Sequence, residues 1–111
     1  MPEDPEDLKL ITLARAMLAR TGAAQGACVR DTEARAYAAA SVHLEHLVLS
    51  AIGVAVAMAV SSGSGGLEAV ALVSEESPTS DDLEIVRDLS GDGLTLWWAD
   101  PRGTVQLVVE I

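Results

Sequence analysis

The stretch from Leu67 to Asp82, LEAVALVSEESPTSDD, decides the fold class of this chain. It begins with a mostly apolar run of strand length, Leu67–Ser74, which predicts a strand buried on both faces. The residues that follow offer a capping hydroxyl, a proline tolerated in a first helical turn and two early carboxylates, so they predict a helix continuing through Leu89. A buried strand followed at once by a helix is typical of an α/β fold.

Hydropathy and turn residues on either side of this stretch predict the remaining elements. A helix should begin at Leu8 and end at Gly22, and a nearly apolar central helix should cover Glu45 to Ser62. Four further strands are predicted, in two turn-connected pairs: Gln25–Arg30 with Arg35–Ala40, and Leu94–Ala99 with Thr104–Val109. The order predicts an α/β, α-β-α layered fold with a mixed five-stranded sheet and three helices.

Length and charge limit the organisation and the partners. A chain of 111 residues is one domain, which we divide into an acidic N-terminal segment, residues 1–7, and a folded domain, residues 8–111. Seventeen acidic against seven basic residues give a formal net charge of -10, which repels a phosphate backbone and disfavours direct nucleic-acid binding, so we expect none.

Two further features bear on location. The apolar run Leu47–Val60 is interrupted by Ser50 and Gly53 and is shorter than the roughly 20 residues a bilayer requires, so no membrane span is predicted. The single cysteine, Cys28, cannot form an internal disulfide, and no secretory leader pattern opens the chain. We therefore expect a cytoplasmic protein.

The order of elements and several short sequence segments together resemble the cytidine deaminase family across nearly the whole chain. Four segments carry this resemblance. They are the opening helix (Leu10–Ala16), the second strand (Arg35–Val42), the end of the central helix (Ala55–Gly63), and the third strand (Ala69–Ser74) followed by Ser77-Pro78. The chain is most similar to short, degenerate actinobacterial members that lack the zinc and catalytic motifs. The resemblance implies the family's fold and a homo-oligomer, either a dimer or a tetramer.

The family's functional positions can then be compared one by one. Active members bind zinc through three thiolate or imidazole ligands and use a glutamate, not itself a ligand, to move a proton. By the resemblance, the Cys-Ala-Glu motif falls on Ser50, Ala51 and Ile52, and the two later cysteines fall on Thr79 and Asp82. Hydroxyls are too weakly acidic to replace thiolates and Ile52 cannot carry a proton. We therefore expect no zinc, no other cofactor and no deaminase activity.

Substrate recognition is affected in the same way, because the ribose-contacting Asn and Glu of the family fall on Ser41 and His43. His43-Leu44-Glu45 matches half of the wider zinc deaminase signature and His46 lies nearby, but the cysteine half is absent. We favour polar residues at a helix entrance over metal ligands there. At Thr79 to Asp82 we likewise favour helix capping over an acidic cation loop.

Some residues fit either a structural or an interface role. Cys28 lies in a predicted strand, where a cysteine behaves as a small apolar residue more often than as a nucleophile. Trp97 and Trp98 are adjacent, so a strand should direct one inward and one outward, against a partner or a covered edge. The small and apolar central helix, with Ile52, Gly53 and Val56, suits either a dense core or a subunit interface.

These observations lead to one principal expectation and two alternatives. We expect a catalytically inactive cytidine deaminase-like protein that acts through oligomer assembly or partner binding; some similar members are encoded beside an Era-type ribosome-assembly GTPase, which suggests one partner. The first alternative is a small-molecule, nucleoside-like binding module that uses the vestigial cleft without turnover. The second is a residual hydrolase that uses Asp81 and Asp82, or His43 and His46.

Overall fold

The computed structural model describes residues 1–111 and contains three helices and seven strands. In chain order these are α1 (Pro5–Thr21), β1 (Gln25–Asp31), β2 (Ala36–Ala40), β3 (Val42–His43), β4 (Val48–Leu49), α2 (Ala51–Ser61), β5 (Leu67–Ser74), α3 (Ser80–Ser90), β6 (Thr95–Ala99) and β7 (Val105–Glu110). The short strands β3 and β4 pair only with each other. The five predicted strands of the main sheet all form, within two residues of their expected bounds.

The main sheet has the strand order β2-β1-β5-β6-β7. Strands β5 and β6 are parallel and are connected by α3, whereas the other neighbouring pairs are antiparallel. The predicted α/β fold with a mixed five-stranded sheet and three helices is confirmed.

Helices cover both faces of this sheet. Successive side chains of a strand point to opposite faces, so each central strand contributes to two cores. On one face, α1 packs through Leu10, Ile11 and Ala14 against mostly small side chains of the central strands. On the other face, α2 and α3 pack on a larger cluster that includes Val29, Val70, Leu72 and Leu96. The buried strand predicted at Leu67–Ser74 lies between the two cores.

Helix α1 approaches the sheet closely at Gly26. A Cβ atom built on this glycine would lie 2.1 Å from the backbone oxygen of Ala14, closer than any real contact of that kind. Only a residue without a side chain allows this approach.

The first helix begins three residues earlier than predicted. Asp4 caps it by accepting a hydrogen bond from the amide of Glu6, Pro5 occupies the first turn, and Glu6 and Asp7 place negative charge near its N-terminus. The acidic residues at the start of the chain therefore stabilise the helix instead of preceding it. At the other end, Gly22 terminates the helix with φ of 69°, as predicted.

The central helix is shorter than predicted, and its predicted start at Glu45 is wrong. Residues 42–49 form the β3–β4 hairpin instead, in which Val42 pairs with Leu49 and His43 pairs with Val48. The helix begins only after Ser50, because Ser50 has an extended backbone conformation and its side chain caps α2 by accepting from the amide of Gly53. An apolar run does not by itself distinguish a helix from a strand of β-branched and leucine residues.

The central helix is also not covered on all sides. Ile52 and Val56 are buried in the core of this chain, whereas Met58 and Val60 are exposed. The interface prediction for Ile52 and Val56 thus needs correction, because neither side chain presents surface to a second molecule; Gly53 is half-buried. No helix combines the length and the apolar character that a membrane crossing requires.

The two tryptophans do point to opposite faces, but neither faces solvent as the sequence suggested for one of them. Trp97 packs in the α1 core and its Nε1 lies 3.4 Å from a carboxylate oxygen of Asp7. Trp98 packs in the core of α2 and α3 and donates from Nε1 to the backbone oxygen of Ser74 at 3.1 Å. Both are half-buried because each face of β6 carries a helical layer.

Candidate functional site

An open cleft of about 680 Å³ lies at one end of the sheet. Its walls come from the segment before β1, the β3–β4 hairpin, the N-terminus of α2 and the loop that leaves the C-terminal end of β5. The lining residues are Ala23, Ala24, Gln25, Ser41, Val42, His43, Val48, Leu49, Ser50, Ser74, Glu75 and Glu76. In α/β sheets, ligands bind beyond the carboxyl ends of strands, so β5 leads into a favourable position.

Local hydrogen bonds fix one wall of this cleft. The hydroxyl of Ser41 accepts from the backbone amide of Gln25 at 3.1 Å. The side-chain oxygen of Gln25 in turn accepts from the amide of Ala51, also at 3.1 Å, and Ser50 accepts from Gly53 at 3.0 Å. Gln25 therefore connects the start of β1 to the first turn of α2.

The opposite wall is formed by Ser74, Glu75 and Glu76. The Ser74 hydroxyl donates to the backbone oxygen of Glu76, and the Ser74 backbone oxygen accepts from Trp98. Both glutamate side chains are exposed and take part in no ion pair within the chain. With His43, they are the only ionisable side chains that line the cleft.

Three of the sequence-predicted positions meet in the cleft and three do not. Ser41, His43 and Ser50 line it together. Ile52 is fully buried in the core, and Thr79 and Asp82 lie at the start of α3 without lining the cleft. Glu45 and His46 lie in the exposed turn of the β3–β4 hairpin and do not line it either.

Thr79 and Asp82 form a reciprocal capping box. The Thr79 hydroxyl accepts from the amide of Asp82 at 3.1 Å, and the Asp82 carboxylate accepts from the amide of Thr79 at 3.3 Å. The preference for capping over a cation loop is confirmed at these two residues.

Among the lining residues that the sequence interpretation missed are the polar Gln25, Glu75 and Glu76. The two glutamates follow a buried strand directly, and that position alone marks them as candidates. Gln25 carried no such signal, because its bond to Ala51 joins residues that are distant in the chain.

Two of the buried titratable groups, Cys28 and Asp31, do not line the cleft. Burial raises the pKa of the Cys28 thiol to about 11, which keeps it protonated and unreactive, in agreement with its predicted structural role. Asp31 lies at the other end of β1 from Gln25. Burial opposes its ionisation, but hydrogen bonds from Ser64 and from the amides of Arg35 and Glu33 prevail and lower its pKa to about 2.

A family model described as cytidine deaminase-like matches residues 3–103. The chain belongs to the cytidine deaminase-like family. Among solved structures, this cytidine deaminase-like chain is similar to the cytidine deaminase from Burkholderia pseudomallei, with a TM-score of 0.80, 19% identity and coverage of 92% of this chain and 90% of that one.

Two mycobacterial structures are also similar to this chain. The cytidine deaminase from Mycobacterium leprae has a TM-score of 0.71 and 21% identity, and it covers 88% of this chain and 89% of its own. The one from Mycobacterium tuberculosis has a TM-score of 0.70 and 24% identity, with coverage of 79% and 80%. At these identities the likeness establishes the fold. No curated protein matches the sequence.

The side chains at the positions expected for the zinc ligands, Ser50, Thr79 and Asp82, do not fit a zinc ion. Ser50 and Thr79 offer hydroxyls, and both already accept a hydrogen bond from a helix amide. The only carboxylate of the set, Asp82, is 2% exposed and engaged with the Thr79 amide. No three His, Cys, Asp or Glu side chains lie close enough together to share a metal ion. Structural and catalytic zinc sites need at least three such donors.

Proposed function

We propose that this cytidine deaminase-like protein is catalytically inactive and acts through assembly with further copies or with a partner. The observation that supports inactivity is the use of the ligand positions as helix caps. Ser50 and Thr79 satisfy amides at the starts of α2 and α3, and Ile52, at the position of the catalytic glutamate, is buried in the core. These positions offer no set of side chains that could hold the metal ion whose bound water carries out hydrolytic deamination.

The test combines metal analysis with an activity assay. Protein purified without chelator is expected to contain far less than one zinc per chain and to release no ammonia from cytidine or deoxycytidine, beside an active cytidine deaminase as control. Stoichiometric zinc, or ammonia release that disappears in His43→Ala, would contradict the proposed inactivity.

The support for assembly is a group of exposed apolar side chains in a part of the chain where Glu45 is the only charged residue. Six of the ten exposed large apolar side chains lie between Leu44 and Val60, on the β3–β4 hairpin and the outer face of α2. No charged residue occurs from Leu47 to Leu67. Because each copy carries a net charge of -10, association of two copies is least opposed where the surface carries little charge.

Sedimentation velocity over a range of concentrations tests this assembly. Wild type is expected to associate, and Val48→Glu, at a residue 62% exposed on the hairpin, is expected to remain monomeric. Leu107→Glu places the same charge at a comparably exposed position on the edge strand β7 and serves as control. A monomeric wild type at all concentrations would leave a different protein as the only partner.

For that different partner, we propose the Era-type GTPase suggested by the resemblance, encountered in the cytoplasm. Mixing the two purified proteins and measuring a joint sedimentation boundary is the direct test. A boundary that is the sum of the separate components would exclude this partner.

A second candidate function is supported by the open cleft itself. A volume of about 680 Å³ is within the range of small-molecule sites, and hydrogen bonds of Gln25 to Ser41 and Ala51 fix one of its walls. We propose that the cleft binds a nucleoside-like or similar small molecule without turnover. Thermal-shift measurements with nucleosides test this candidate.

A further inference from the structure

We propose that the cleft selects a small organic amine in its protonated form, with an apolar body and without phosphate or carboxylate groups. This proposal rests on the second candidate function above only in that the cleft binds a small molecule, and it names a class of ligand other than a nucleoside.

The charge of the cleft supports this choice. Among the lining side chains the only permanent charges are the carboxylates of Glu75 and Glu76, and no lysine or arginine lines the cleft. Neither carboxylate is neutralised by an ion pair, so both remain free to meet a ligand cation. The net charge of -10 on the whole chain also favours a cationic ligand over an anionic one.

One candidate for a counterion is Arg15, which lines a neighbouring groove together with Glu75. Its Nε donates to the backbone oxygen of Pro101 at 3.1 Å, and it makes no ion pair with Glu75. A phosphorylated or carboxylate ligand would therefore enter the cleft against two carboxylates and find no cation in it.

The remaining walls of the cleft suit the uncharged, apolar part of such a ligand. Val42, Val48 and Leu49 supply apolar surface from the hairpin, and Ala23 and Ala24 supply it from the segment before β1. The hydroxyls of Ser41, Ser50 and Ser74 are each engaged in a bond within the chain. Polar recognition of a ligand is left to the two carboxylates, His43, the free amide nitrogen of Gln25 and the hydroxyl protons of Ser41 and Ser50, because these two hydroxyls only accept within the chain.

Three indole derivatives of similar size and different charge form the test: tryptamine as cation, tryptophol as neutral analogue and indole-3-propionate as anion. Each is titrated into isotopically labelled protein at pH 7, and the amide resonances of Gln25, Ser50 and Glu75 are followed. Tryptamine is expected to bind about tenfold more tightly than tryptophol, and indole-3-propionate is expected not to bind.

Matched variants separate a local effect from the field of the whole chain. Glu75→Gln combined with Glu76→Gln is expected to weaken tryptamine binding about tenfold, to the level of tryptophol. Glu84→Gln combined with Asp88→Asn removes two charges from the exposed face of α3, outside the cleft, and is expected to leave binding within about twofold.

Equal binding of tryptamine and tryptophol, or equal weakening by both double variants, would overturn the proposal. Tighter binding of cytidine or uridine than of tryptamine would overturn it too, while supporting the nucleoside-like candidate function. No binding of any probe would overturn it and leave the proposed assembly to its own sedimentation test.

Discussion

Ser64 donates its hydroxyl proton to the buried carboxylate of Asp31 across 2.5 Å. This bond ties the loop after α2 to the turn between β1 and β2, where the same carboxylate accepts from the amides of Glu33 and Arg35 and pairs with the Arg35 guanidinium at 2.9 Å. Asp31 is thus the ionised centre of a network that joins two distant segments of the chain, which is how a buried carboxylate is tolerated.

The pH dependence of stability should report this network. The pKa of Asp31 is about 2 in the folded chain and near its usual value of about 3.9 when unfolded, so ionised Asp31 stabilises the fold above about pH 4. This stabilisation is lost as the pH falls through about 2. Urea unfolding of Asp31→Asn is expected to show lower stability than wild type at pH 7 and a smaller loss on acidification. Glu33→Gln, at a side chain 74% exposed, is the control. An unchanged pH profile in Asp31→Asn would contradict this assignment.

Gly26→Ala tests the close packing of α1 on the sheet. The added methyl would meet the backbone oxygen of Ala14, so the helix must move, and we expect a loss of about 2 kcal/mol or more in the free energy of unfolding. Gly65→Ala is a matched control, because nothing lies within 4 Å of its built Cβ. Chemical denaturation measures both. Equal stability of the two variants would mean that α1 lies farther from β1.

The caps at the family's ligand positions can be measured in the same way. Thr79→Ala removes the acceptor for the Asp82 amide and is expected to cost about 1 kcal/mol of stability. The neighbouring Ser80→Ala changes an exposed hydroxyl in the same helical turn and should alter stability by less than about 0.5 kcal/mol. Unchanged stability of Thr79→Ala would contradict the capping role of this threonine.

The reactivity of Cys28 follows from its burial. With a pKa of about 11 and no exposed surface, the thiol should react with Ellman's reagent at pH 8 roughly a hundredfold or more slowly in native protein than in urea. The time course of thionitrobenzoate release measures both rates. Native labelling as fast as in urea would place the thiol at the surface.

The sequence predicted the architecture well, because the strands and α3 carry their signals locally. The buried run Leu67–Ser74 and the cap at Thr79 are each contained in a few adjacent residues. The start of α2 was misplaced because Val48 and Leu49 suit a helix or a strand equally, and pairing with Val42 and His43 decides the outcome.

The candidate site was harder to predict, because its geometry depends on contacts between distant segments. The family resemblance identified Ser41, His43 and Ser50, which the fold brings together in the cleft. It gave no indication of Gln25, whose role depends on Ala51, or of the charge contributed by Glu75 and Glu76. Neither local hydropathy nor motif spacing contains such information.

The opposite orientations of Trp97 and Trp98 have a practical consequence for the way this chain loses its structure. One strand places an indole in each of the two cores, so Trp97→Phe and Trp98→Phe each leave a single fluorophore that reports one core alone. Superimposable emission transitions for the two variants would mean that both helical layers detach from the sheet as one cooperative unit. Separate transitions would reveal which layer is released first.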